Sequence, residues 1–258
     1  MEITEHIDAL RRQGDLLADA AGRAGLDAAV PPCPAWQVKD LLRHTGYIHR
    51  WAARHITECP DTVLDGPPEE DILRGGAADA DLLAWFRAGH AALVETLSTA
   101  DPGLVCATFM DAPSPLAFWA RRQAHETAIH RADADSAAGL RPEYDPSFAA
   151  DGIDELITGF GQRRKYRPPD GHDGGMRVRA TDTGHAWYVG AEGGRLQTRR
   201  EPPGSDLAGP AACTVAGPAS GVYLFLWNRS DAAQAGVTIS GDAGFLELWQ
   251  SSVRVRWG

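Results

Sequence analysis

The chain has 258 residues, 43% hydrophobic and 23% charged, with a formal net charge of −10. This ordinary globular balance is enough for two cores and excludes disorder, collagen and coiled coil as whole-chain readings. The acidic field opposes nucleic-acid binding, and no apolar run approaches the ~20 residues that span a bilayer.

The opening Met1-Glu2-Ile3-Thr4-Glu5 is acidic and lacks the basic start and apolar stretch of a secretory signal, so a cytoplasmic location is expected. Ile3, Ile7, Leu10 and Leu17 then recur at helical spacing with charged residues between them. Pro31, Pro32 and Pro34 make a rigid connector around Cys33. A second helix is predicted from about Ala35 to His55, with an apolar stripe of Val38, Leu41, Ile48 and Trp51. Residues 61–76 read as a loop. A third helix is expected from about Asp79 to Thr99 and a fourth from about Pro115 to Ala138, stopped by Gly139 and Pro142. Four amphipathic helices with irregular connections predict an up-and-down bundle.

The texture changes near Leu140–Pro146. One helix is plausible at Phe148–Phe160 and another at Ala219–Trp227. Around them, Met176–Thr181, His185–Val189, Arg195–Thr198, Ala212–Val215, Val237–Ser240 and Val253–Trp257 read as short strands between Gly and Asp turns. Pro202–Pro210 reads as a loop. The pattern is α+β with an antiparallel sheet.

The stretch from Trp119 to Asp133 carries the strongest chemical signal. Glu126 and His130 are four residues apart, on one helix face. A carboxylate and an imidazole so placed can share a metal ion. His125 and His130 are five apart, about 140° around the helix, so His125 points elsewhere. His44 is the candidate third ligand, because Leu41, Ile48 and Trp51 put it on an inward stripe. Two histidines and a glutamate leave an open coordination position, the pattern of catalytic zinc. Other readings stand beside this one. Glu126 and His130 can be a hydrogen-bonded helix-face pair with Glu126 bridging Arg122, which itself could orient Glu126 or recognise a substrate carboxylate. His44 can be a satisfied core histidine. His49, His55 and His90 are expected at the surface or partly buried. The cysteines, Cys33, Cys59, Cys106 and Cys213, include no C-x-x-C pair and are read as unpaired thiols. Cys33, just before a helix start, also has a reactive-thiol reading. Trp36 is expected to anchor the bundle.

Pro32-Cys33-Pro34-Ala35-Trp36-Gln37-Val38-Lys39-Asp40-Leu41 with His44, the run Trp119–Asp133, and the segments Thr181–Gly184, Gly217–Trp227 and Gly241-Asp242 together resemble the mycothiol-dependent maleylpyruvate isomerase family. The resemblance implies a DinB-like four-helix bundle over residues 1–142 and a smaller α+β domain similar to sterol carrier protein 2 over 143–258. It implies zinc held by His44, Glu126 and His130, with mycothiol as the thiol co-substrate. The implied enzyme is a cis-trans isomerase or an S-transferase, in which zinc favours the thiolate for addition to an electrophilic small molecule, expected to be anionic. The family's substrate-contacting arginine has Arg195, Arg199 and Arg200 as candidates. No residue beyond the metal ligands is assigned a catalytic role. A monomer is expected, without nucleic-acid or membrane partners. The alternatives are a zinc-hydroxide hydrolase and a non-catalytic metal- or small-molecule-binding protein.

Overall fold

A computed structural model of the chain describes residues 1–162, 174–192, 195–202 and 211–252. The chain divides into two compact units, one from Met1 to Pro142 and one that begins at Glu143.

In the first unit four long helices pack together: α1 (Ile3–Ala24), α2 (Val38–Glu58), α4 (Leu82–Thr99) and α5 (Pro115–Ala137), with the short α3 (Glu69–Arg74) between α2 and α4. α1 and α2 each lie against both α4 and α5. Leu17, Val38, Leu41, Leu42, Leu82 and Phe86 are fully buried where the helices meet. The helix starts are chemically defined. Ser114 Oγ accepts the Ala117 amide at 3.1 Å with Pro115 in the first turn, and Asp40 accepts the Gln37 amide at 2.9 Å. That second cap explains why α2 starts at Val38 and not near Ala35. Ala29 still pairs with Gln37 in a β-bridge, and the connector closes on Val30, whose amide donates to the Trp36 carbonyl at 3.0 Å.

Two expectations change here. The segment read as a loop over 61–76 contains α3, too short and too acidic to show apolar periodicity. And α5 is not amphipathic: every residue from Arg122 to His130 is buried. A helix that buries arginine, glutamine, glutamate, threonine and two histidines must supply partners for them.

The second unit opens with α6 (Pro146–Asp154), capped by Asp145 on the amides of Ser147 and Phe148. It continues as a wide turn over Glu155–Gly159 and a tight one over Phe160–Gln162. β1 (Gly174–Ala180), β2 (Ala186–Glu192), β3 (Arg195–Glu201), β4 (Cys213–Gly217) and β5 (Thr238–Gly241) form one sheet in the order β3-β2-β1-β4-β5. α7 (Ala219–Leu226) follows β4 and α8 (Gly244–Ser252) follows β5. Three strand pairings are antiparallel as expected, but β1 and β4 run parallel, which makes the sheet mixed. A local strand pattern does not encode that, since the direction of β4 depends on how the chain returns after β3. α8 was not anticipated. The segment Val253–Trp257 and most of Pro202–Pro210 lie outside the described residues. Among the described residues no helix is long and apolar enough to cross a membrane.

Candidate metal centre

On α5 the four-residue spacing brings His130 Nε2 to 3.1 Å from Glu126 Oε1. α2 presents His44 to the same oxygen, its Nε2 at 3.7 Å. The two imidazole rings meet nearly edge to face, 5.0 Å between centroids. One ligand atom from each of His44, Glu126 and His130 therefore lies within 4.8 Å of the others, and all three residues are buried. His125, on the same helix, is outside this group; its ring faces that of His6 at 6.1 Å.

The surroundings orient each side chain. Glu126 Oε2 accepts a hydrogen bond from Arg122 Nη2 at 2.9 Å, and Arg122 has no exposed surface. Arg122 thus orients Glu126, one of the two roles the sequence left open. His130 Nδ1 lies 2.9 Å from Asp133 Oδ2, and Asp133 is fully buried. A carboxylate on the outer nitrogen of an imidazole fixes the ring and its tautomer and leaves Nε2 for a ligand. Sequence reasoning gave Asp133 no such role, although its i+3 spacing from His130 was the signal. On the outer side of His44, Glu69 Oε1 stands 4.0 Å from Nδ1.

The electrostatics follow. Burial pushes the His44 pKa down more than the nearby carboxylates raise it. Burial also works to raise the Glu126 pKa, but the facing imidazoles of His130 and His44 and the Arg122 guanidinium outweigh it and hold Glu126 well below the usual carboxylate range. His130 loses to burial and gains more from Asp133 and Glu126, and is pushed up to about 9. The site thus holds an ionised glutamate, an imidazole favouring its proton, and a neutral imidazole.

The residues fit a divalent ion. Among the described residues neither ring nitrogen of His44 has a hydrogen-bond partner, yet both are buried. Unsatisfied buried nitrogens cost free energy unless something occupies them. Two imidazoles and one carboxylate are a borderline-soft donor set suited to zinc.

The other histidines correct the expectation of surface positions: His49, His55 and His90 are all buried. Each finds a polar partner inside the bundle, which offsets the cost of burial. His49 Nε2 meets Thr127 Oγ1 at 2.9 Å, His90 Nε2 meets the Leu10 carbonyl at 3.0 Å, and His55 Nδ1 meets the Trp51 carbonyl at 2.9 Å. Cys33 is half-buried, its Sγ 3.9 Å from Asp133 Oδ2. Trp36 lays its ring 4.9 Å from that of His44 and 6.0 Å from that of His130, so it covers the ligand pair as well as packing on the core.

A cavity of about 180 Å³ opens beside His44. One wall is a single face of α2: His44, Tyr47, Ile48 and Trp51. The opposite wall is the 61–76 connection, through Pro67, Glu69 and Ile72. That connection is tied down at Leu64, whose amide donates to His55 Nε2 at 3.0 Å and whose carbonyl accepts from Trp51 Nε1 at 2.9 Å. Tyr47, Glu69 and Ile72 were not singled out from sequence; the face of α2 was legible, but its partner wall was not.

In the second unit, the Arg199 guanidinium lies over the Tyr188 ring at 4.1 Å and 3.6 Å from Glu201. Arg200 pairs with Asp154 at 3.1 Å. The Arg195 side chain lies outside the described residues. Both described arginines are already engaged with an acid.

Residues 7–135 match the mycothiol maleylpyruvate isomerase N-terminal domain, and residues 147–248 match the MDMPI C-terminal domain. Among solved structures, a mycothiol-dependent maleylpyruvate isomerase superposes with a TM-score of 0.62 at 14% identity, covering 94% of this chain and 95% of that one. A histidine-to-alanine mutant of the mycothiol-dependent maleylpyruvate isomerase gives 0.63 at 13% identity with the same coverage. These likenesses establish the fold. No curated protein sequence matches.

Proposed function

The chain belongs to the mycothiol maleylpyruvate isomerase family of enzymes, and from that premise we propose that it is a zinc-dependent enzyme that uses mycothiol to act on an electrophilic small molecule. His44, Glu126 and His130 would hold the metal, one ligand atom from each. Zinc, when bound, lowers the pKa of a thiol brought to it and so favours the nucleophilic thiolate at neutral pH. The protein residues prepare for that. Asp133 anchors His130 through Nδ1, and Arg122 engages Oε2 of Glu126 and keeps it ionised. Trp36 covers the two imidazoles on one side. The same residues serve cis-trans isomerisation, where the thiol is released after the carbon–carbon bond has turned, or S-transfer, where the new C–S bond remains. The ligand set lies wholly within Met1–Pro142, so a monomer suffices. A cytoplasmic location suits a cofactor that must stay reduced.

The observation that carries this reading is the buried, unpartnered His44 imidazole turned toward a carboxylate that His130 already shares. The test is zinc content by elemental analysis of the purified protein against His130→Ala, followed by mycothiol titration of the zinc-loaded form. Stoichiometric zinc that is lost in the variant, with mycothiol binding that requires zinc, is the expected result. Equal zinc in both proteins sinks the ligand assignment.

A further inference from the structure

The two histidines of the site are fixed unequally. His130 Nδ1 is hydrogen-bonded to Asp133 Oδ2 at 2.9 Å. Among the described residues neither nitrogen of His44 has such a partner, although its side chain is only 1% exposed. The two nitrogens of His44 face different acids. Nε2 stands 3.7 Å from Glu126 Oε1, and Nδ1 stands 4.0 Å from Glu69 Oε1. An ion shared with Glu126 takes Nε2 and leaves the ring proton on Nδ1. A buried N–H without an acceptor keeps its full desolvation cost.

Glu69 is the acid placed to supply that acceptor. It is the first residue of α3, in the connection that walls the cavity opposite α2. α2 holds this connection on both sides of Glu69. Before it, Leu64 is bonded to His55 and Trp51. After it, Arg43, the residue next to His44, donates to the Gly75 carbonyl at 3.1 Å and pairs with Asp79. The first turn of α3 carries three acids, Glu69, Glu70 and Asp71. Glu70 and Asp71 pair with Arg74, and among the described residues only Glu69 of the three faces His44. Its side chain is 40% exposed and so has room to turn. A closure of about 1 Å brings it within hydrogen-bond distance of Nδ1. Glu69 is not itself one of the three donors that lie within 4.8 Å of one another.

We infer that Glu69 is a positioning residue for His44: its carboxylate accepts a hydrogen bond from Nδ1–H and holds the ring with Nε2 toward Glu126. This deepens the zinc reading and rests on it. A carboxylate on the outer nitrogen of a ligating imidazole sets its tautomer and orientation. The two supports differ in origin. Asp133 stands on the same helix as His130, whereas Glu69 reaches His44 from another element. Zinc affinity therefore depends on where the 61–76 connection sits, and ion binding draws that wall toward α2.

The test is zinc affinity by competition with a chelator of known affinity, joined to nitrogen-15 spectra of the histidine rings in the zinc-loaded protein. Glu69→Ala and Glu69→Gln are compared with Glu70→Gln, which removes the same charge from the neighbouring exposed residue. Glu69→Ala is expected to weaken zinc binding about 10–100-fold. Glu69→Gln, which keeps an acceptor oxygen, is expected to recover part of that loss, and Glu70→Gln to leave affinity unchanged. The Nδ1 proton of His44 is expected to exchange slowly with water in the unaltered protein and faster in Glu69→Ala, while that of His130 keeps its rate. Unchanged zinc affinity in Glu69→Ala overturns the inference. So does an equal loss in Glu70→Gln, which would mark a general charge effect, and so does a loss of affinity with the His44 proton unmoved. An unaltered protein that binds no zinc removes the zinc reading and this inference together; zinc bound normally but indifferent to Glu69 removes this inference alone.

Discussion

Asp133 Oδ2 lies 2.9 Å from Nδ1 of His130, one helical turn away on the same face, and Asp133 is wholly buried. The pair decides which imidazole nitrogen is left to face Glu126. Replacing the carboxylate by an amide weakens that control with little change in volume. Asp133→Asn is therefore expected to lower zinc affinity by about 10–100-fold while the fold persists. Competition with a chelator of known affinity measures it, and unchanged affinity would remove Asp133 from the site.

Glu126 does two jobs, and a truncation separates them. Glu126→Ala takes away a metal ligand and also the acid bonded to the buried Arg122. Loss of one partner of a buried ion pair costs about 3–5 kcal/mol. The Glu126→Ala protein should thus lose zinc and unfold at markedly lower urea, whereas Arg122→Met with Glu126→Gln should lose zinc with most of its stability restored. Urea titrations of the metal-free proteins compare them directly; equal stability of the single and double variants would mean that the pair is not coupled.

His125→Ala should retain zinc. His125 is buried beside His6 and takes no part in the group formed by His44, Glu126 and His130. Elemental analysis of the folded variant settles the point, and loss of zinc with circular dichroism unchanged would count against the ligand set.

Metal binding should expel a proton. In the metal-free protein His130 titrates near 9, so at pH 7 it carries a proton that a zinc ligand must give up. Zinc titrated into chelated protein at pH 7, in two buffers of different ionisation enthalpy, should report the release of that proton. A buffer-independent heat would contradict it.

The same group sets a pH dependence of stability. The folded pKa of His130 lies above its unfolded value of about 6.5, so its contribution is full below that pH and is lost as pH rises through about 9. His44, His49 and His90 are depressed by burial, so above roughly pH 7.5 they are neutral whether folded or unfolded and add no further slope. The thermal midpoint of the chelated protein should accordingly fall between pH 7.5 and 9, and that of the zinc-loaded protein should fall less. Parallel curves would show that zinc does not reach His130.

Much of this was legible in the residues. Helical spacing put Glu126 and His130 on one face and His125 off it, and the stripe of Leu41, Ile48 and Trp51 turned His44 inward. Much of what was not legible depends on partners outside the local pattern. His49, His55 and His90 look like ordinary polar positions until Thr127, Trp51, Leu64 and Leu10 supply hydrogen bonds to them. The parallel pairing of β1 with β4 depends on a return path, not on either strand. α3 is only six residues long, between a Pro-Pro pair and a Gly-Gly pair. The wall it lends to the cavity becomes visible only once Leu64 is found tied to α2.

That tie joins two walls of different make. The proposed metal ligands stand on α2 and α5, buried among core residues. The facing wall belongs to a partly exposed connection that α2 holds by the backbone at Leu64 and at Gly75. Substitutions at Pro67, Glu69 or Ile72 can alter what the cavity accepts while the ligand helices keep their packing.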